Sequence, residues 1–125
     1  MKFSILMAVL ALIIKVSVKV KKDLRAMISV KNNTFVMMTK DGKRGRRFII
    51  RNGTFTSDTN ISESDLAFVW KDGDTAFRVL TNPDPTGMYK AIANWDLELR
   101  GDQSLSTWFT IFLGYATGSL KKKPA

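Results

Sequence analysis

The chain has 125 residues, enough for one domain with a buried core. Hydrophobic residues make up 45% and charged residues 25%, a globular composition and not a disordered one. Cysteine and histidine are both absent, which excludes disulfides, thiol nucleophiles, Cys/His zinc sites and histidine acid–base catalysis. The remaining carboxylates, lysines and hydroxyls form no catalytic motif. The composition therefore favours a binding or structural module over an enzyme, and it implies no metal or cofactor. The net charge is +9, and it is lopsided. Residues 1–51 hold 13 basic and 2 acidic side chains, against 7 and 9 in residues 52–125. A one-sided field of this kind suggests an anionic partner, either a membrane surface or nucleic acid.

The chain starts with an unbroken apolar run of ten residues, Ile5 to Ile14. A spanning helix needs about 20. Only Lys2 precedes the run, while Lys15, Lys19, Lys21 and Lys22 follow it, and no Ala-x-Ala site comes after. That is the wrong order for a cleaved secretory leader. It suits a segment whose carboxyl side stays in the cytoplasm. Residues 1–22 are thus expected to form an apolar, basic helix, either packed on the domain or dipped into a membrane. Phe3, Leu6, Leu10, Ile13, Val20, Leu24 and Met27 make a stripe at helical spacing that predicts the packed side. Met7, Val9, Leu12, Ile14 and Val16 fall off that stripe. A membrane, a bound lipid or a second copy of the chain is expected to cover them, in that order.

Strands follow. Thr34–Thr39 and Arg46–Arg51 are strand-like and flank the Asp41-Gly42 turn signal. Asn52-Gly53 is a two-residue hairpin signal, because both residues tolerate positive φ, and it leads to a third strand over Thr54–Ser57. Asp65–Trp70 is the fourth, and the four read as an antiparallel meander. Asp74 is expected to cap a helix to about Leu80, with Asp72-Gly73-Asp74 a turn and not a calcium loop. Asp84-Pro85 opens a helix to about Asn94. Trp95–Arg100 alternates as a fifth strand closed by Gly101. A last helix runs from about Gln103 to Ala116, with Gly118 as its stop. The organisation is then an N-terminal helix at 1–22, a domain at 23–117 and a basic tail at 118–125.

The order of these elements resembles the sterol carrier protein family. The likeness spans about residues 23–116. It is carried by Ser64-Asp65-Leu66-Ala67-Phe68-Val69-Trp70 and by Leu97-Glu98-Leu99-Arg100-Gly101-Asp102 ahead of the final helix. In that family an Asp-containing strand precedes a helix, and a strand ending in Gly-Asp precedes the last helix. Asp65 and Gly101-Asp102 match those places. The family's long N-terminal helices are replaced here by one very apolar segment. The resemblance implies an α+β fold, an antiparallel sheet of about five strands covered by helices, with a hydrophobic tunnel for a lipid or acyl chain. Met37, Phe48, Phe68, Trp70, Phe77, Leu80, Met88, Ile92, Leu97, Trp108, Phe109 and Phe112 are of the types that line such a cavity, since thioethers adapt and rings give large contact area. The same residues would equally fill an ordinary core.

Gly42-Lys43-Arg44-Gly45 has the G-x-x-G pattern of a loop that clamps a nucleic-acid backbone between two helices. Its flanks here read as strands, which makes it a basic turn. Lys15, Lys19, Lys21, Lys22, Arg25, Lys43, Arg44, Arg46 and Arg47 are the candidate membrane-surface residues. The sequence thus predicts a non-enzymatic module that binds a lipid, sterol-like or acyl-chain ligand at the cytoplasmic face of a membrane, peripherally or anchored by its N-terminal helix. That helix is also the candidate contact for a homo-oligomer. The alternative is an accessory subunit that presents a lipid-like substrate, such as a quinone precursor, to enzymes. A nucleic-acid module is kept on charge alone.

Overall fold

The computed structural model describes residues 2–82 and 86–117. The expected helix opening at Asp84-Pro85, the expected helix stop at Gly118 and the tail at 118–125 lie outside the described residues. Helices α1 (Lys2–Val20) and α2 (Lys22–Ser29) lead into strands β1 (Asn33–Thr39), β2 (Gly45–Arg51), β3 (Thr54–Asp58) and β4 (Leu66–Trp70). Helices α3 (Gly73–Thr81) and α4 (Gly87–Ala93), strand β5 (Leu97–Gly101), a 3-10 turn (Gln103–Leu105) and helix α5 (Ser106–Thr117) complete the chain. This is the α+β arrangement read from the sequence.

The five strands form one sheet in the order β3-β2-β1-β4-β5. Asn52 and Gly53 take φ of 52° and 74°, the left-handed pair that a tight β2–β3 hairpin requires. The meander stops there. Instead of pairing with β3, β4 runs parallel to β1, with Phe35 opposite Leu66, so the sheet is mixed. The cause is the segment 59–65, which is long enough to cross from the β3 edge to the far side of β1. It lies over Gly45, where an added Cβ would come within 2.7 Å of Ile61 Cγ2. Asp65 ends the crossing: its carboxylate accepts hydrogen bonds from Thr34 N at 2.8 Å and Asn33 Nδ2 at 3.2 Å.

The second half of the family-like motif meets Asp65 at the same corner. Gly101 has φ +109°, and a Cβ there would collide with the Asp65 carbonyl oxygen. Asp102 N donates to that oxygen at 2.8 Å, and the Asp102 carboxylate caps the 3-10 turn by accepting from Ser104 N at 3.1 Å. Gly-Asp is therefore needed where β5 ends against β4 and the last helix begins.

One face of the sheet supplies the core through Phe35, Met37, Phe48, Ile50, Phe68, Trp70 and Leu97, all buried. Helix α5 lies over it. The Phe109 ring sits 4.2 Å from Phe35, 5.2 Å from Phe68 and 6.1 Å from Phe48, centre to centre. Helix α1 packs on α3, α5 and the β2–β3 edge. Its buried side is Phe3, Met7, Leu10, Ala11, Ile14, Ser17 and Val18, rotated from the expected stripe. Ile13 and Val20 face outward, while Met7 and Ile14 are in the core. The stripe assumed one continuous helix through Met27, but the helix breaks at Lys21, whose backbone is extended (φ −105°, ψ 110°). Two bonds to α5 fix the rotation: Ser17 Oγ donates to Ala116 O at 3.0 Å and Lys21 Nζ to Tyr115 O at 2.9 Å.

Helix α3 is capped by Asp72, not by the expected Asp74: the Asp72 carboxylate accepts from Thr75 N at 2.7 Å, and Asp74 sits in the first turn. The hydrogen bonds from Thr75, side chain and backbone, hold the Asp72 carboxyl below its ordinary pKa of 3.8. The folded chain thus binds fewer protons than the unfolded one. The stabilisation is complete above the unfolded pKa and is lost as pH falls through the lowered one. Asp72→Ala is expected to cost about 1 kcal/mol at neutral pH and to flatten the acid limb of stability. Urea unfolding across the acid range checks this, and an unchanged acid limb would count against it.

Candidate functional site

The helical layer encloses an apolar groove of about 390 Å³. Helix α1 contributes Leu6, Val9, Leu10 and Ile13, helix α3 contributes Val79 and Leu80, and α4 contributes Met88. Helix α5 closes it with Thr110, Leu113, Gly114 and Thr117, while Thr81 and Asn82 complete the rim. The polarity of the α5 wall is largely satisfied within that helix. Thr110 Oγ1 donates to Ser106 O and Thr117 Oγ1 to Leu113 O, each at 2.8 Å. Small residues at 110, 114 and 117 keep that wall low, and this leaves the space open. The volume lies within the usual range for small-molecule sites.

Of the cavity residues expected from the sequence, Leu80 and Met88 line this groove. Met37, Phe48, Phe68, Trp70, Leu97, Phe109 and Phe112 lie in the sheet–helix core. Trp108 is half-buried, stacked on Phe112 at 5.2 Å and carrying Lys31 Nζ 5.5 Å from its ring centre. Phe77 and Ile92 are exposed. Sequence reasoning did not select Leu6, Val9, Leu10, Ile13, Val79, Thr110, Leu113 or Gly114. The signal for the last three was there. Positions 110, 113, 114 and 117 repeat at helical spacing on the side of α5 away from Phe109 and Phe112.

The outer side of α1 is apolar as well. Ile5, Val9, Leu12, Ile13, Val16 and Val20 are all exposed, Ile5, Leu12 and Val20 by more than 60%. The window Phe3–Val20 has a mean hydropathy of 2.3, and only 33% of it is buried. Length and composition would let it cross a membrane, as they would the core helix of a soluble protein.

The basic residues separate into groups. Lys15 lines a shallow hollow with Leu12 and Arg46, on the shoulder of α1 away from the groove. Arg44 Nη1 reaches Ser4 Oγ at 3.4 Å, and Arg46 Nε donates to Ser57 Oγ at 2.7 Å. Lys19, Lys22 and Lys43 are exposed, and Arg25 Nη1 donates to Lys19 O at 2.6 Å. Arg47 belongs to the opposite face of the sheet, where Asp58 takes both its Nε (2.9 Å) and its Nη2 (2.5 Å). That pairing holds the Asp58 carboxyl below its ordinary pKa. The Gly42–Gly45 motif joins β1 to β2 and lies between strands, not helices.

No family model matches the chain, and no curated protein matches it. Solved structures do. A ubiquinone synthesis protein, UbiJ-SCP2, superimposes with a TM-score of 0.68 at 13% identity over 97% of this chain and 95% of its own. Sterol carrier protein 2 from Yarrowia lipolytica, in its apo form, gives 0.66 at 11% identity over 90% and 93%. The sterol carrier protein domain 2 of Helicoverpa armigera gives 0.63 at 13% over 93% and 91%. At these identities the likeness is one of fold. The chain has the sterol carrier protein fold over nearly its whole length, as Asp65 and Gly101-Asp102 suggested.

Proposed function

We propose that the chain binds the hydrocarbon part of a lipid, sterol-like or acyl-chain molecule in the groove between α1, α3, α4 and α5, at the cytoplasmic surface of a membrane and without catalysing a reaction. The observation that carries this reading is the groove itself, an opening of about 390 Å³ with apolar walls from four helices. Burying hydrocarbon there yields about 0.8 kcal/mol per methylene, and the threonine hydroxyls bonded within α5 offer little competing polarity. The solved structures of the same fold include proteins named as sterol carriers, which supports a lipid as the occupant.

The membrane part of the reading rests on α1. Its exposed apolar residues would otherwise face water, and Lys15 and Lys19 stand on one shoulder. Each basic residue near an anionic surface contributes about 1 kcal/mol before screening. A second reading is an accessory subunit that presents a lipid-like substrate, such as a quinone precursor, to enzymes. The match to a ubiquinone synthesis protein over 97% of the chain favours it. Both readings use the same groove.

A stearate carrying a spin label near its methyl end tests the site. Its addition is expected to broaden the methyl NMR signals of Val79, Leu80 and Leu113. Val36 and Val69, on the opposite face of the sheet, are expected to stay sharp. Broadening confined to Val36 and Val69, or none at all, would overturn the proposal.

A further inference from the structure

Trp95 combines two unfavourable features. Its φ is +62°, a left-handed conformation that bulky side chains rarely adopt. Its indole is 90% exposed, the most exposed of the large hydrophobic side chains in the described residues. The sequence placed Trp95 at the start of a strand. In the fold it is instead the residue just past the end of α4. Trp95 N donates to Ile92 O at 3.1 Å and Asp96 N to Ala91 O at 2.8 Å, the bonding pattern of a helix stop that normally uses glycine or asparagine. Lys71 N donates to Asp96 O at 2.8 Å, and Arg78 Nη2 lies 4.0 Å from the Asp96 carboxylate. A tryptophan that its own chain leaves uncovered, at a position better suited to glycine, is a feature to be explained by what it meets.

The surroundings identify the class of partner. Ile92 and Tyr89 are exposed on the same helix, and Met88, one turn before Ile92, lines the groove. Across the groove stand Val9 and Ile13 of α1, both partly exposed. Met88 of α4 and Val9 and Ile13 of α1 thus line one groove, and both helices carry further exposed apolar side chains. Lys15 and Arg46 gather in the hollow on the far shoulder of α1, beside Leu12. Apolar area with a basic margin complements an anionic bilayer, and tryptophan and tyrosine are the residues enriched at its headgroup level.

We propose that Trp95 is a membrane anchor, inserting at the headgroup level of an anionic bilayer on the α4 bank of the groove while α1 lies on the other bank, so that the groove mouth opens onto the lipid. The proposal rests on the groove being the lipid site, and it adds the seat from which a lipid enters.

Trp95→Gly separates anchoring from folding. Glycine adopts φ +62° without strain, so the variant is expected to melt no lower than the parent. The test measures partition of the full chain onto vesicles of phosphatidylglycerol and phosphatidylcholine, at low and at high salt. Trp95→Gly is expected to weaken partition by at least about tenfold at both salts, because the lost contribution is apolar. Trp95→Tyr, which keeps an interfacial ring, is expected to retain most of the affinity. The emission difference between parent and Trp95→Gly isolates Trp95 from Trp70 and Trp108, and it is expected to shift to the blue on vesicle addition. Unchanged partition of Trp95→Gly, a loss that salt alone abolishes, or a Trp95 emission that stays at the solvent-exposed position would overturn the anchor. Failure of the groove reading shows separately, as absence of lipid from organic extracts of the native protein.

Discussion

Phe109→Ala is expected to lower Tm by on the order of 15 °C in lipid-free protein. Phe109 has no exposed surface, and its ring meets Phe35, Phe48, Phe68 and Phe112. Truncating a buried phenylalanine costs about 3–5 kcal/mol, because the lost transfer energy is joined by the cavity left among rings that cannot fully collapse. For a chain of this length each kcal/mol corresponds to about 3–6 °C. Phe112, equally buried, is expected to behave in the same way. Thermal melting by circular dichroism checks both. A loss of only a few degrees would mean that the rings face empty space, and that the lipid tunnel runs between sheet and α5 rather than between the helices.

Thr110→Phe is expected to cut lipid retention by more than about tenfold with little change in Tm. Thr110 is half-buried on the α5 wall of the groove, with Oγ1 3.8 Å from Met88 Sδ. The larger ring would project into a space that is already open, so it creates no void and displaces no core residue. If it takes the place of about three methylenes of the ligand, at about 0.8 kcal/mol each, affinity falls by well over tenfold. Phe109→Ala and Thr110→Phe are therefore a matched pair on adjacent residues. The first removes stability, and the second removes ligand.

The pair also shows what the sequence made legible. Asn52-Gly53 is legible because tight-turn geometry restricts which residues fit, while Asp65 and Gly101-Asp102 are legible through the family resemblance. The parallel pairing of β4 with β1 is not local: it depends on where segment 59–65 travels, and its polar composition says only that it is a loop. The stripe on α1 failed for a related reason. A helix that is apolar almost all round carries no unambiguous periodicity, and the break at Lys21 and the bonds from Ser17 and Lys21 to α5 set its rotation. Candidate site residues were chosen for size and softness. Those properties select the best core fillers, which is where Phe48, Phe68, Trp70 and Phe109 lie. A groove is made where side chains are small, so Thr110, Gly114 and Thr117 carried the information that the larger residues could not. Trp95 was hidden by alternation, since a tryptophan before Asp-Leu-Glu-Leu reads as a strand unless the stop of α4 is known.

Mass spectrometry of organic extracts bears most directly on the groove as a lipid site. The parent chain and Thr110→Phe are purified in parallel from the same expression host under native conditions, without detergent. The predicted result is about one lipid or long-chain molecule per parent chain and less than about a tenth of that in the variant. A parent chain that yields no lipid, or equal amounts from both proteins, would contradict the assignment.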